Sequence, residues 1–241
     1  MPTMAEHYEN LLADHYTWLF GGLRAKIDEN RQFFEANNLK PKGSGLALDL
    51  GAGSGFQSIP LAQLGFAVTA LDLSDKLTAE LKSQSDGLNI RIIKDDLLNF
   101  TAYQSGPIEL CVCMGDTLTH LQSLEDVQRL CKKVFAALGN QGRFVLTFRD
   151  LMHELKDLDR FIPVRNDGNR IFTCFLEYES EHVKVHDLVY EKQDGNWNFK
   201  KSMYRKCRVP FEWIKATLTS AGFQLKVATL ERGLITIIAE K

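Results

Sequence analysis

No apolar run in this sequence is long enough to cross a bilayer, so no membrane-spanning helix is expected. Cysteine is scarce and irregular, with five residues scattered along 241 positions. That pattern suits neither a disulfide framework nor paired zinc ligands, and reads as small apolar thiols in a reducing, cytoplasmic compartment. An excess of one charge is also missing: a formal net charge of −2 argues against a generally basic nucleic-acid binder. The stretch from Met1 to His7 has neither a basic nor an apolar signal region, so no secretory leader is expected. No internal repeat, low-complexity tract or linker is visible. His153, His182 and His186 lack metal-ligand spacing, and no metal is expected. Lys200, Lys201, Arg205, Lys206 and Arg208 form the one basic concentration, read as the solvated face of an alternating strand.

What is present is the composition of a globular α/β chain, with 44% hydrophobic and 25% charged residues. Residues 5–38 read as one or two helices, with Leu11, Leu12, His15, Trp18 and Leu19 at helical spacing and Gly21-Gly22 as a break. From residue 46 onward, short apolar strands alternate with helices. The strands are expected at 46–50, 67–72, 90–94, 108–114 and 142–148, the helices at 58–65, 75–84 and 124–138. Such alternation predicts a doubly wound parallel sheet with its ligand crevice at the carboxyl ends of the strands. The pattern then changes. Residues 171–178, 183–191 and 197–208 alternate like antiparallel strands, with Asp167-Gly168-Asn169 and Asp194-Gly195-Asn196 as turns. A helix over 211–220, capped by Gly222, precedes two closing strands at 223–230 and 234–240. The expected organisation is a helical segment 1–43 over a cofactor site, a core of 44–160 and 210–241, and an antiparallel insertion over 161–209.

Asp49-Leu50-Gly51-Ala52-Gly53-Ser54-Gly55 follows the first strand and opens a helix. Glycines there let the backbone approach a ligand, and unpaired amides at the helix start suit an anionic group. Asp72 ends the second strand about 20 residues after Gly51, where a carboxylate can hold both ribose hydroxyls. Asp95-Asp96-Leu97 follows the third strand, where an acid can accept from an adenine amino group. A dinucleotide fingerprint would place glycine where Phe56 stands. Asp49 is also a poor neighbour for a pyrophosphate. It suits a ligand carrying an ammonium and a sulfonium, and S-adenosyl-L-methionine (SAM) has both.

These residues resemble the class I SAM-dependent methyltransferases over roughly residues 44–150. Leu48 to Gly55 is similar to the family's first motif, Ala70 to Ser74 to its second-strand acidic motif, and Ile93 to Leu97 to its adenine-contact motif. The resemblance implies an α/β fold with a Rossmann-like seven-stranded sheet ending in an antiparallel hairpin, and an antiparallel β insertion before the last helix. It implies SAM contacts from Tyr16, Asp49, Gly51, Ala52, Gly53, Asp72, Leu73, Asp96, Leu97 and Met114, with Tyr16 lying over the cofactor by cation–π attraction. A narrower resemblance links Met114-Gly115-Asp116-Thr117-Leu118-Thr119-His120-Leu121 to the Gly-Asn-Ser-Phe-Ala-His-Leu stretch of glycine and sarcosine N-methyltransferases. Asp116 stands where those enzymes have Asn, an extra carboxylate expected to repel a carboxylate substrate. The insertion is similar to segments that close over substrate or build an interface between copies of a chain.

The expected activity is methyl transfer from SAM to a small polar metabolite, at nitrogen. Asp116, His120 and Arg149 are the expected substrate contacts, with His120 and Asp116 the candidate catalytic groups. Arg149 would clamp a substrate carboxylate. A largely apolar pocket under the insertion would instead favour O- or C-methylation of a natural-product-like molecule. SAM binding without turnover would indicate a silent binding protein.

Overall fold

The computed structural model describes residues 3–241, so the first two residues of the expected amino-terminal segment lie outside the described residues. The helices are α1 (Met4–His7), α2 (Tyr16–Leu19), α3 (Leu23–Ala36), α4 (Ser58–Gln63), α5 (Asp75–Gln84), α6 (Leu124–Ala137) and α7 (Phe211–Ala221). The strands are β1 (Leu46–Leu50), β2 (Ala67–Asp72), β3 (Ile90–Lys94), β4 (Ile108–Cys113), β5 (Leu138–Arg149), β6 (Phe161–Asn166), β7 (Arg170–Tyr178), β8 (His182–Gln193), β9 (Asn196–Cys207), β10 (Gln224–Glu231) and β11 (Leu234–Glu240). Seven strands form one sheet in the order β10-β11-β5-β4-β1-β2-β3, and β6 to β9 form a second, four-stranded sheet in chain order. β1 to β5 are parallel, while β11 runs antiparallel to both β5 and β10. This is the Rossmann-like arrangement expected from the alternation.

Alternate residues of the parallel strands enter opposite cores. Leu48, Leu50, Cys111, Cys113, Phe144, Leu146 and Phe148 pack on one face against Val127 and Leu130 of α6 and Ile214 and Leu218 of α7. Ala47, Val68, Ala70, Leu110, Val112 and Val145 pack on the other, against Phe34 of α3, Ile59 of α4 and Leu81 of α5. A side chain such as fully buried Phe144 or Phe148 contributes about 1.5–3 kcal/mol through burial. Helix starts follow capping chemistry: Ser74 accepts from the Leu77 amide and Ser123 from that of Asp126. Asp194 and Gly195, both at positive φ, form the β8–β9 turn.

Four features depart from the expected pattern. The segment from Met4 to Leu19 is not a regular helix: between α1 and α2 it runs through a π turn (Tyr8–Leu12) and a 3-10 turn (Ala13–His15). The insertion has a fourth strand, β6, which the sequence hides because it is a short edge strand with Pro163 and a register shift at 163–165. β5 starts at Leu138, with its register against β4 broken between Ile108 and Leu110. His120 closes a 3-10 turn (Thr117–His120) inserted between β4 and α6.

Candidate active site

At the tip of β1 the Asp49 carboxylate is 1% exposed. Ser58 Oγ donates to its Oδ2 at 2.5 Å, while Oδ1 has no partner among the described residues. Burial outweighs the Ser58 bond and pushes the carboxyl up to about 7. A buried carboxylate oxygen without a donor fits a cationic ligand group. The glycine loop beyond it is held by its own amides: those of Gly51 and Ala52 donate to the Leu71 carbonyl, and that of Gly53 to Asp72 Oδ2 at 2.8 Å. These three amides therefore face β2, and the expected anion-binding role of the loop is not available to them. Gly51, at φ 77°, approaches Thr117 so closely that a Cβ would lie 2.3 Å from its Cγ2. No other residue type fits there without displacing the turn.

Asp72 accepts from the amides of Gly53 and Ser74, each at 2.8 Å. Burial raises its pKa, opposed by the two amide bonds, and nearby Glu9 adds to the rise. With two bonds made, a carboxylate keeps lone pairs for two further donors, as a ribose diol requires. Of the acidic pair after β3, Asp95 is engaged by Tyr103 Oη at 2.5 Å and Asn99 Nδ2 at 2.9 Å. Asp96 is exposed, and its Oδ1 caps the following turn through the Leu98 amide. Leu97 and Leu73 flank these tips half-buried, and Met114, just past the end of β4, is buried. The orphan oxygen of Asp49 and the open valences of Asp72 and Asp96 fit the charged amine, ribose and adenine parts of SAM.

The amino-terminal segment lies over this cradle. Tyr16 stacks on Phe56 with centroids 5.4 Å apart, and its Cε1 would meet a Cβ on Gly53 at 3.4 Å. The aromatic at position 56 is thus the platform for the covering tyrosine. Thr17 Oγ1 and Ser54 Oγ both donate to Glu80, each at 2.6 Å. Ser74 Oγ donates to Glu9. The opposite side of the same segment docks on the insertion sheet. Leu11 and Leu12 pack with Phe172 and Val189, and Trp18 Nε1 donates to Asp167 at 2.7 Å.

The ends of β4 and β5 meet the insertion in a second cluster. Asp116 sits at φ 75°; the Arg149 amide donates to its Oδ1 at 2.6 Å, and Lys206 Nζ to its Oδ2 at 2.7 Å. Burial alone would raise this carboxyl, but Lys206 and the Arg149 amide hold it below the usual carboxylate range. The charge attributed to Asp116 from sequence is therefore already matched, and its presumed repulsion of a carboxylate loses its basis. His120 Nε2 lies 3.2 Å from Tyr8 Oη, and its Nδ1 has no partner among the described residues. Burial, with Lys206 close by, pushes its pKa down to about 3, so the imidazole is neutral. Deeper in, His7 Nε2 donates to Asp187 Oδ2 and Cys174 Sγ to Oδ1, both at 2.9 Å. The His7 ring packs tilted against Tyr204, with centroids 4.3 Å apart. The Arg149 side chain is exposed at this mouth and forms no ion pair with a described residue within 4.0 Å.

Tyr8, His7, Asp187 and Tyr204 were not singled out from sequence, and Lys206 was read only as part of a solvated face. They join the site only through the docking of the segment and the insertion. The basic concentration divides in two. Lys200 pairs with Glu191 and Arg205 with Glu179 at the surface, whereas Lys206 is 8% exposed and Arg208 turns inward to the carbonyls of Leu151 and Glu179. The solvated-face reading fails for both: Lys206 shares a face of β9 with buried Tyr204, opposite exposed Arg205, and Arg208 lies just past the strand. A cleft of about 310 Å³ lies at the far end of the sheet, near Glu109 and Arg143, away from all of these groups.

Residues 47–142 match the family described as methyltransferase domain. The chain is 26% identical to glycine/sarcosine N-methyltransferase of Aphanothece halophytica over 152 residues, which are 61% of this chain and 57% of that one. Among solved structures it is similar to the CcbJ methyltransferase from Streptomyces caelestis, with TM-score 0.78 and 14% identity, covering 96% of each chain. It is also similar to SAM-bound CalS10, an amino pentose methyltransferase from Micromonospora echinaspora, with TM-score 0.74 and 16% identity, covering 89% of this chain and 91% of that one. The structural likenesses show the fold.

Proposed function

We propose that this chain, which belongs to the class I SAM-dependent methyltransferases, methylates the nitrogen of a small polar metabolite. Bound SAM supplies a methyl group on a sulfonium, whose sulfur leaves as a neutral thioether, so the protein has mainly to align a nucleophile and exclude water. Asp49 would face the cofactor's ammonium, Asp72 its ribose and Asp96 its adenine, under the cover of Tyr16. Leu73, Leu97 and Met114 would give apolar contacts.

The observation that carries nitrogen as the acceptor atom is that, among the described residues, the acceptor half holds no free strong base. Asp116 is matched by Lys206, and Asp187 by His7 and Cys174. His120, held near 3, is too weak a base to ionise a hydroxyl. A neutral amine needs no such base, because its lone pair is already available. In the tautomer whose Nε2–H donates to Tyr8, His120 Nδ1 accepts a hydrogen bond from the amine N–H and orients it. The polar groups under the insertion, from Asp187 to Lys206, support a polar acceptor. The named activities of the glycine/sarcosine and amino pentose enzymes favour an amine as well.

Incubation with SAM labelled in its methyl group and a panel of small amines, alcohols and carbon acids, read by mass spectrometry, tests this. Labelled N-methyl products are expected. Transfer confined to oxygen or carbon, or no transfer to any member, would overturn it.

A further inference from the structure

The amino-terminal segment has two unlike faces. Its buried residues include His7, Leu11, Leu12 and His15, and these pack on the insertion. His7 meets Asp187 and Tyr204, Leu11 and Leu12 cluster with Phe172 and Val189, and His15 lies beside Phe172 with its Nδ1 3.7 Å from Glu191 Oε1. Their spacing matches that of the strand. Asp187, Val189 and Glu191 share one face of β8 at every second residue, while His7, Leu11 and His15 recur every fourth. Four helical residues rise about 6 Å and two strand residues about 7 Å, so the segment lies along β8 in step with it. The face toward the core is different. Tyr8, Glu9, Tyr16 and Thr17 are half-buried, and Asp14 and Phe20 are exposed. Their contacts are hydroxyl and carboxylate bonds to His120, Ser74 and Glu80, the exposed pair Asp14–Lys76, and the Tyr16 and Phe20 rings on Phe56.

We infer that the amino-terminal segment and the insertion sheet form one body, a cover that parts from the core to admit SAM while the interface between its own two pieces stays closed. Separating the segment from β8 would bare Leu11, Leu12 and two buried histidines. Separating it from the core exchanges mainly half-exposed polar bonds for bonds to water, and surface ion pairs contribute little. Gly21 and Gly22, at φ 88° and 103°, join the segment to α3, and a Cβ on Gly22 would meet nothing within 4 Å, so the backbone there can turn freely. The insertion is tethered at one end of its sheet, where His182 donates to the Gln122 carbonyl at 2.9 Å and Lys206 to Asp116 at 2.7 Å. Those two residues lie on neighbouring rungs of the β8–β9 ladder. Tyr16 above the cofactor loop and Tyr8 beside His120 belong to the same body, so one motion opens both halves of the crevice. This concerns cofactor entry and holds whichever atom accepts the methyl.

Reversible bridges in the full chain test it. Asp14→Cys/Lys76→Cys ties the segment to the core, and Trp18→Cys/Asp167→Cys ties it to the insertion, each closed with a short bis-methanethiosulfonate and opened by reductant. The native cysteines are buried or half-buried, which leaves the new pairs as the accessible thiols. Association of radiolabelled SAM is then timed by rapid filtration. The core bridge is expected to slow it about tenfold or more against the same protein after reduction, and the insertion bridge to leave it within about twofold. A core bridge without effect means the segment is no gate, and an insertion bridge that slows entry as much means the segment leaves β8 to open; either result overturns the inference. Should a reduced variant fail to bind SAM, hydrogen exchange on the unmodified chain decides. A detached segment this short is a marginal helix in water, so it would lose protection well ahead of β8. The inference requires protection over residues 8–19 that matches that of β8, and early exchange of the segment alone refutes it.

Discussion

The cofactor half and the acceptor half of the crevice share a sheet edge but are built differently. Asp49, Gly51, Gly53, Asp72 and Asp96 come from three successive strand tips, and their key bonds span short stretches, such as Gly53 to Asp72 and Ser58 to Asp49. The acceptor half joins His7 to Asp187, Tyr8 to His120 and Lys206 to Asp116, pairs separated by 180, 112 and 90 positions. One half is a consequence of local turns after strands. The other exists only when the amino-terminal segment and the insertion sheet have docked. The comparison teaches that the proposed cofactor contacts depend on the core's own geometry, while the proposed acceptor contacts depend on the amino-terminal segment and the insertion.

The largest expected effect separates two glycines. Gly51→Ala adds a Cβ 2.3 Å from Thr117 at φ 77°, and overpacking plus left-handed strain should cost roughly 3–5 kcal/mol in urea unfolding. Gly115→Ala, at φ 70° with nothing within 4 Å, should cost about 1–2 kcal/mol from conformation alone. Equal losses would break the contrast between a tightly packed cofactor loop and an open acceptor loop.

Next comes Asp72→Ala. Two charge-assisted contacts to a ribose predict a fall in SAM affinity of about 100-fold by calorimetry. A variant that unfolds is replaced by Asp72→Asn, for which a smaller loss in the same direction is expected.

The smallest effect concerns pH and sharpens the same division. Asp49, at about 7 when folded, lies above an ordinary carboxylate. Its stabilising contribution is therefore full below about pH 4 and lost as pH rises through 7. A cationic ligand needs the ionised form, so SAM affinity should rise about tenfold from pH 6 to 8. Asp49→Asn should flatten that rise below pH 7. His120, depressed to about 3, stays neutral across this window and adds no step. Its contribution is complete above about pH 6.5 and is lost toward pH 3. A pH response that survives in Asp49→Asn would place the titrating group elsewhere.

The strand alternation, the glycine turn and the acids at Asp49, Asp72 and Asp96 were legible because each rests on interactions within one strand–turn–helix unit. Tyr16 was legible as an aromatic above the loop, but Phe56 entered the argument only as a missing glycine, and its stacking under Tyr16 was not foreseen. Asp116 was picked out by its position after β4, but its charge was misjudged, since its neutralising partner lies in β9. The edge strand β6 was missed because proline and exposure remove the usual strand signals.

The sequence by itself determined the order of strands and helices, and with it a crevice lined by acids suited to adenosine and a cationic sulfur. Periodicity and turn chemistry act over a few residues, so they can be read without coordinates. Only the tertiary structure decided which charges near the acceptor are free, that Lys206 is inside rather than solvated, and that His120 is neutral. Burial and pairing between distant segments set those properties, and no local pattern encodes the water that docking excludes.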